Sequence, residues 1–318
     1  MNILIRADSS SIIGTGHIKR DLVLAKDLGN GTFSKRVQST RAPSKNKIIF
    51  ATQDLQGNIN KEIKEAGYRV EILKSSDFEE LNSLIKKLNI DMIVIDNYDI
   101  DYDFEKKLKE ENPSLKIFVL DDTYEKHYCD ILLNHNIYAS EKKYKNLVPE
   151  SCELRCGAKY TLLRDEFIEI KKSPITNHQL LTTVFLAMGG ADNKNLNIKI
   201  LKVLKQYKKN IKVNLVTTNA NKNLEKLKEY CENKEWINLQ INSRNIAKLM
   251  NQSNFAIITP SVTTNEAYFL DLPMIAIKTA KNQKEMYEYL AKNGYFALKK
   301  FDKKELEKYI KQLIKKFD

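Results

Sequence analysis

Asp8-Ser9-Ser10-Ser11-Ile12-Ile13-Gly14-Thr15-Gly16-His17-Ile18-Lys19-Arg20 separates an apolar run, Asn2-Ile3-Leu4-Ile5-Arg6-Ala7, from an amphipathic one, Asp21-Leu22-Val23-Leu24-Ala25-Lys26-Asp27-Leu28. The order is strand, glycine-bearing turn, helix, the repeating unit of an α/β protein. Gly14 and Gly16 allow a sharp turn without a Cβ penalty, and the next helix opens with unpaired N–H groups and a positive dipole end. His17 falls where that helix begins, just outside the carboxyl end of the strand, where ligands bind in open α/β sheets. It is the first of four histidines and the leading candidate for catalysis; a histidine that merely caps a turn has the same local sequence.

Composition narrows the class. The chain of 318 residues is long enough for two domains with proper cores, and its ten glycines and six prolines argue against long disorder. No stretch approaches the roughly 20 apolar residues that span a bilayer. Arg6 and Asp8 interrupt the first apolar run, so a secretory leader is not expected and cytoplasmic residence is. Cys129, Cys152, Cys156 and Cys231 form no zinc pattern and read as free thiols. The net charge of +12 comes from scattered lysine pairs with little aromatic interleaving. That describes a solvated surface, with neither a nucleic-acid groove nor a membrane face, whose positive field favours an anionic substrate.

Apolar runs and amphipathic helices then alternate. Gly29 to Lys45 is a polar insertion without periodicity. Strands are expected at 47–52, 68–73, 91–96, 116–121 and 131–134, with helices at 60–66, 77–88 and 102–111 between them. Residues 138–176 break the rhythm as a connecting segment ending in a short helix and the Ser173-Pro174 break. Alternation restarts with strands at 180–187, 212–216, 236–241, 256–259 and 274–277, and helices beginning near 196, 221, 244, 262, 282 and 303. The expected architecture is two Rossmann-like parallel-sheet α/β domains, 1–175 and 176–318, facing each other across a cleft.

The second half carries two motifs. Gly189-Gly190 in Met188-Gly189-Gly190-Ala191-Asp192-Asn193 exposes backbone N–H groups after a buried strand, which suits a diphosphate or simply a tight turn. Thr259-Pro260-Ser261-Val262-Thr263-Thr264-Asn265-Glu266 places a Pro-Ser turn at a helix start, so that Ser261, Val262 and Thr263 N–H groups can face phosphate oxygens. Glu266, one turn on, can accept from both ribose hydroxyls, or act as an ordinary carboxylate near the dipole. The strings Asp99-Ile100-Asp101 and Asp101-Tyr102-Asp103 admit a metal reading, yet at a helix entrance they read as N-caps, and no metal is expected.

With these motifs the second half resembles the nucleotide-binding domain of GT-B glycosyltransferases of the muramyl-transferase type. Arg6 to Ser10, Ile13 to Arg20, Ile95-Asp96-Asn97-Tyr98, Leu120-Asp121-Asp122, Asp130 to Asn136 and Tyr160 to Phe167, in order along the chain, resemble the UDP-2,4-diacetamido-2,4,6-trideoxy-β-L-altropyranose hydrolases of pseudaminic acid biosynthesis. The resemblance implies a GT-B-like fold and hydrolysis of a UDP-linked diacetamido sugar at the anomeric carbon, with inversion and no cofactor. It implies His17 as the catalytic base and Tyr98 beside it, with Gly14, Gly16 and Asn97 around the sugar. Glu266 is then the ribose ligand, Gly189, Gly190, Ser261 and Val262 diphosphate contacts, the backbone near Ile241 the uracil contact, and Asn282 and Gln283 face sugar or phosphate. A GT-B glycosyltransferase using a UDP-amino sugar and a non-catalytic nucleotide-sugar binding protein are the competing classes; a monomer is expected.

Overall fold

The structure is a computed structural model and describes residues 1–31, 46–172 and 181–317. Most of the expected insertion, and the Ser173-Pro174 break with residue 175, lie outside the described residues. Contacts divide the chain into two compact units, Met1–Leu162 and Leu163–Asp318.

The first unit runs β1 (Asn2–Ala7), α1 (Gly16–Gly29), β2 (Lys47–Gln53), α2 (Asn60–Glu65), β3 (Arg69–Leu73), α3 (Phe78–Leu88), β4 (Met92–Asp96), α4 (Tyr102–Glu111), β5 (Lys116–Leu120), β6 (Ile131–Asn134) and β7 (Glu153–Cys156). The strands form one parallel sheet in the order β3-β2-β1-β4-β5-β6-β7. Successive strand residues face opposite sides, and here both sides are core. Ile3, Ile5, Phe50, Val94 and Phe118 pack with Ile18 and Leu24 of α1. Leu4, Ile49, Ile93, Ile95 and Ile117 pack with Leu81 and Ile85 of α3 and Leu108 of α4. The connecting segment expected at 138–176 therefore needs correction, because it contributes β7 to this sheet.

The second unit runs α5 (Asp165–Lys171), β8 (Thr182–Ala187), α6 (Leu196–Leu204), β9 (Ile211–Thr217), α7 (Leu224–Cys231), β10 (Ile237–Ile241), α8 (Ile246–Asn251), β11 (Phe255–Ile258), α9 (Val262–Phe269), β12 (Met274–Ile277), α10 (Lys284–Lys292), β13 (Phe296–Leu298) and α11 (Lys303–Ile314). Its parallel sheet has the order β10-β9-β8-β11-β12-β13. Val184, Leu186, Val213, Leu215, Phe255, Ile257 and Ile275 bury one face under α6 and α11. The short helix expected at the end of the first half is α5, and it belongs to this unit. It packs on α8, Arg164 at its start pairs with Glu266, and Lys171 pairs with Asp271. The units thus divide at Leu162/Leu163.

Each sheet has one point where strand order reverses, between β1 and β4 in the first unit and between β8 and β11 in the second. The loops leaving the carboxyl ends of those strands are where such folds bind ligands. His17, Asn97 and Tyr98 follow the first pair; Gly189, Gly190, Ser261 and Val262 follow the second.

Candidate active site

The β1–α1 loop is held from beneath by its own side chains. The Ser10 and Gly14 backbones pair across a tight turn, with Gly14 at φ +89°, and the Ser10 hydroxyl accepts from the Ile12 and Ile13 N–H groups. Ser9 Oγ accepts from the Ile59 N–H, and Asp8 accepts from the Gln53 N–H and the Asn97 amide while pairing with Arg6. Asn97 also accepts from the Asp99 N–H at 2.8 Å. These contacts give Ser9, Ser10 and Asn97 a scaffolding task that ties the end of β1 to the end of β4.

Gly16 opens α1 with no side-chain cap, and His17 follows it. The His17 side chain is 11% exposed, with Nδ1 3.1 Å from the carbonyl oxygen of Asp96 and 3.5 Å from its Oδ1. The Tyr98 ring meets the imidazole edge-on at 4.9 Å between centroids. Tyr98 donates its hydroxyl to Asp122 at 2.9 Å. Burial and the Asp122 charge push the Tyr98 hydroxyl pKa up, so it stays a donor.

Beneath His17 lies a buried charge group that the sequence did not single out. Arg20 grips Asp96 with two nitrogens, its Nε 2.6 Å from Oδ2 and its Nη2 on Oδ1, and reaches Asp122 through Nη1 at 3.2 Å. Burial pushes the Asp96 carboxyl up, but Arg20 beside it and then His17 outweigh this and hold it below the usual range. Asp21 is fully buried and raised well above its ordinary value by burial and by Asp96. His135, behind them, accepts from the Leu162 N–H and is pushed down to about 3 by burial and Arg20, so it is neutral. A sequence signal existed: α1 buries Ile18, Leu24, Ala25 and Leu28, and Asp21 sits in that same apolar stripe.

In the second unit the expected ligands take three forms. Gly189 (φ +78°) and Gly190 make the turn after β8, and a Cβ on Gly190 would lie 2.9 Å from Thr218 Oγ1. Asp192, expected in the same turn, instead caps α6 through the Leu196 and Asn197 N–H groups. At α9 the Ser261 N–H is already donated to Thr264 Oγ1 at 3.3 Å. Val262 and Thr263 open the helix, where N–H groups have no preceding turn to accept them. Glu266 is buried and pairs through Oε1 with Arg164 at 2.8 Å; burial raises its pKa and Arg164 opposes the rise. Gln283 caps the turn after β12 by accepting from the Thr279 and Ala280 N–H groups, Asn282 is exposed beside it, and Ile241 ends the edge strand β10.

Two side readings resolve structurally. Asp101 accepts from the Phe104 N–H and caps α4, as an N-cap should. The free thiols of Cys129 and Cys152 meet at 3.6 Å. Among the described residues, no helix is long and apolar enough to cross a membrane.

No protein-family model matches the chain. In solved structures the fold is similar to MurG of Acinetobacter baumannii, with a TM-score of 0.64 and 11% identity, covering 98% of this chain and 90% of that one. It is also similar to the UDP-GlcNAc 2-epimerase of Neisseria meningitidis, with a TM-score of 0.61 and 11% identity over 99% and 92% of the two chains. Both sheets are thus those of a GT-B-like protein. An uncharacterized protein of Methanocaldococcus jannaschii is 31% identical over 92% of this chain and 59% of its own length. The UDP-2,4-diacetamido-2,4,6-trideoxy-β-L-altropyranose hydrolase of Campylobacter jejuni is 41% identical over 93% of this chain and 98% of its own length. That identity over nearly the whole of both chains means that the chain belongs to the UDP-2,4-diacetamido-2,4,6-trideoxy-β-L-altropyranose hydrolase family.

Proposed function

We propose that the protein hydrolyses the anomeric C–O bond of UDP-2,4-diacetamido-2,4,6-trideoxy-β-L-altropyranose with inversion, releasing UDP and the free sugar. The observation that carries the reading is the contact between His17 Nδ1 and the Asp96 carbonyl oxygen. A carbonyl only accepts, so the contact assigns the proton to Nδ1 and leaves the Nε2 lone pair as a general base. Nε2 takes a proton from water as the water oxygen bonds to the anomeric carbon on the face opposite UDP. The bond to the UDP oxygen breaks, and its electron pair leaves on the diphosphate. The Asp96 carboxylate, 3.5 Å from Nδ1, stabilises the imidazolium that forms.

The second unit holds the leaving group. The Gly189-Gly190 turn and the N–H groups of Val262 and Thr263 take the diphosphate and its developing charge, so no general acid is needed. Glu266 accepts from the ribose hydroxyls with the oxygen that Arg164 leaves available. The backbone at Ile241 meets the uracil, and Asn282 and Gln283 face the sugar or phosphate. The protein acts in the cytoplasm as a monomer, without metal or organic cofactor.

Incubation with a panel of UDP-diacetamido sugars in H₂¹⁸O tests the reading. Label in the free sugar is the expected result. Label in UDP would place attack at phosphorus, and transfer to an added alcohol in preference to water would make the protein a transferase.

A further inference from the structure

Arg20 lies one helical turn beyond His17 and on the same side of α1. Its guanidinium is 5% exposed, and each of its two carboxylate partners touches a residue proposed to face the sugar: Asp96 lies under His17, and Asp122 receives the Tyr98 hydroxyl. We infer that Arg20 is the positioning residue of this site, aiming both carboxylates and offsetting the Asp96 charge beneath the imidazole. The inference rests on the reading of His17 as that base.

An unpaired buried carboxylate would hold the imidazole protonated before water arrives, whereas Asp96 paired with Arg20 keeps only enough charge to steady the imidazolium formed in the step itself. A lysine could cancel the charge, but only a planar fork grips Asp96 with two nitrogens while a third reaches Asp122. The groups around His17 are named element by element. α1 supplies Arg20 and Asp21, β4 and its loop supply Asp96 and Tyr98, and the loop after β5 supplies Asp122. The loop after β6 supplies His135, and β1 supplies Arg6 with the Asp8 that follows it. Asp21 is itself an acid, raised by burial and by Asp96, and burial keeps His135 neutral, so neither replaces Arg20 as counter-charge.

Three variants test this: Arg20→Gln, Arg20→Lys and Asp96→Asn. In Arg20→Gln, kcat should fall about 100-fold with KM and UDP affinity within about 3-fold. The acid limb of its kcat/KM profile should move up by about one pH unit. Arg20→Lys should restore the position of the limb without restoring kcat, because an ammonium cannot hold both carboxylates. Asp96→Asn should move the limb downward. NMR titration of the His17 imidazole in unliganded Arg20→Gln should show the same upward shift. That arm needs no turnover, so it fails independently of the hydrolase reading. An unmoved imidazole titration, or an Arg20→Lys variant with wild-type kcat, overturns the inference. If Arg20→Gln does not fold, the lysine variant decides it alone.

Discussion

The carboxyl ends of β1 and β4 and those of β8 and β11 occupy the same topological position in their sheets, yet they are built from opposite materials. At the first, buried ionisable side chains (Arg20, Asp21, Asp96 and His135) lie under one imidazole. At the second, glycines and a helix start present backbone N–H groups, with the buried carboxylates of Asp192 and Glu266 nearby, each already held by a partner within the unit. Proton movement needs titratable groups locked in one orientation, whereas holding a diphosphate needs only fixed donors. On the function proposed above, one switch-point topology serves both tasks, and the side chains placed at it decide which.

The most severe break in this comparison is His17→Asn. It should reduce UDP release by about 1,000-fold while UDP affinity by calorimetry stays within about 2-fold, since the base and the nucleotide ligands sit in different units. Substantial residual turnover would remove His17 from the chemistry. On the other side, Glu266→Ala should weaken UDP binding by about 10- to 100-fold, as expected when a charged acceptor is lost. Unchanged affinity would refute the ribose role. Gly190→Ala is milder: its new Cβ would meet Thr218 Oγ1 at 2.9 Å, and a few-fold loss of UDP affinity is expected as Thr218 shifts.

A second buried charge group in the first unit sharpens the contrast through stability. His127 lies between Glu105 at 2.8 Å and Asp121. Burial lowers its pKa, and the Asp121 carboxylate 3.9 Å from Nε2 and the hydrogen-bonded Glu105 more than reverse this, pushing it up to about 10. A folded pKa raised above the ordinary value of about 6.5 gives stability that is complete below that pH. That stability is lost as pH climbs toward about 10. Between pH 7 and pH 10 the wild-type Tm should fall by about 2–4 °C more than that of His127→Gln. Equal slopes would mean that the ring is neutral in the folded protein. The smallest expected effect is none: EDTA should leave turnover unchanged, and inhibition reversed by a divalent cation would overturn the metal-free reading.

Long apolar runs such as Lys47-Ile48-Ile49-Phe50-Ala51-Thr52 were legible as strands because both faces of a central parallel strand are core. The strands β7 and β13 were not, since they are three or four residues long and lie at the sheet edges. There one side is relieved of core duty and the apolar signal fades. At the sites, glycines and His17 announced themselves by spacing. Nothing local to Arg20 names its partners; the sheet brings Asp96 and Asp122 to it across 76 and 102 residues. Ser261 adds a contact that local sequence does not show: its N–H meets Thr264 Oγ1.

By itself, then, the sequence determined what short-range periodicity and backbone freedom encode: two α/β units, a glycine turn before His17, and a second one with a helix start suited to phosphate. Only the tertiary structure decided which carbonyl His17 Nδ1 meets, which N–H groups of α9 are engaged within the protein, and which charges lie beneath the imidazole. Those depend on contacts between residues dozens of positions apart. Burial makes such contacts strong by removing water, and no local pattern records them.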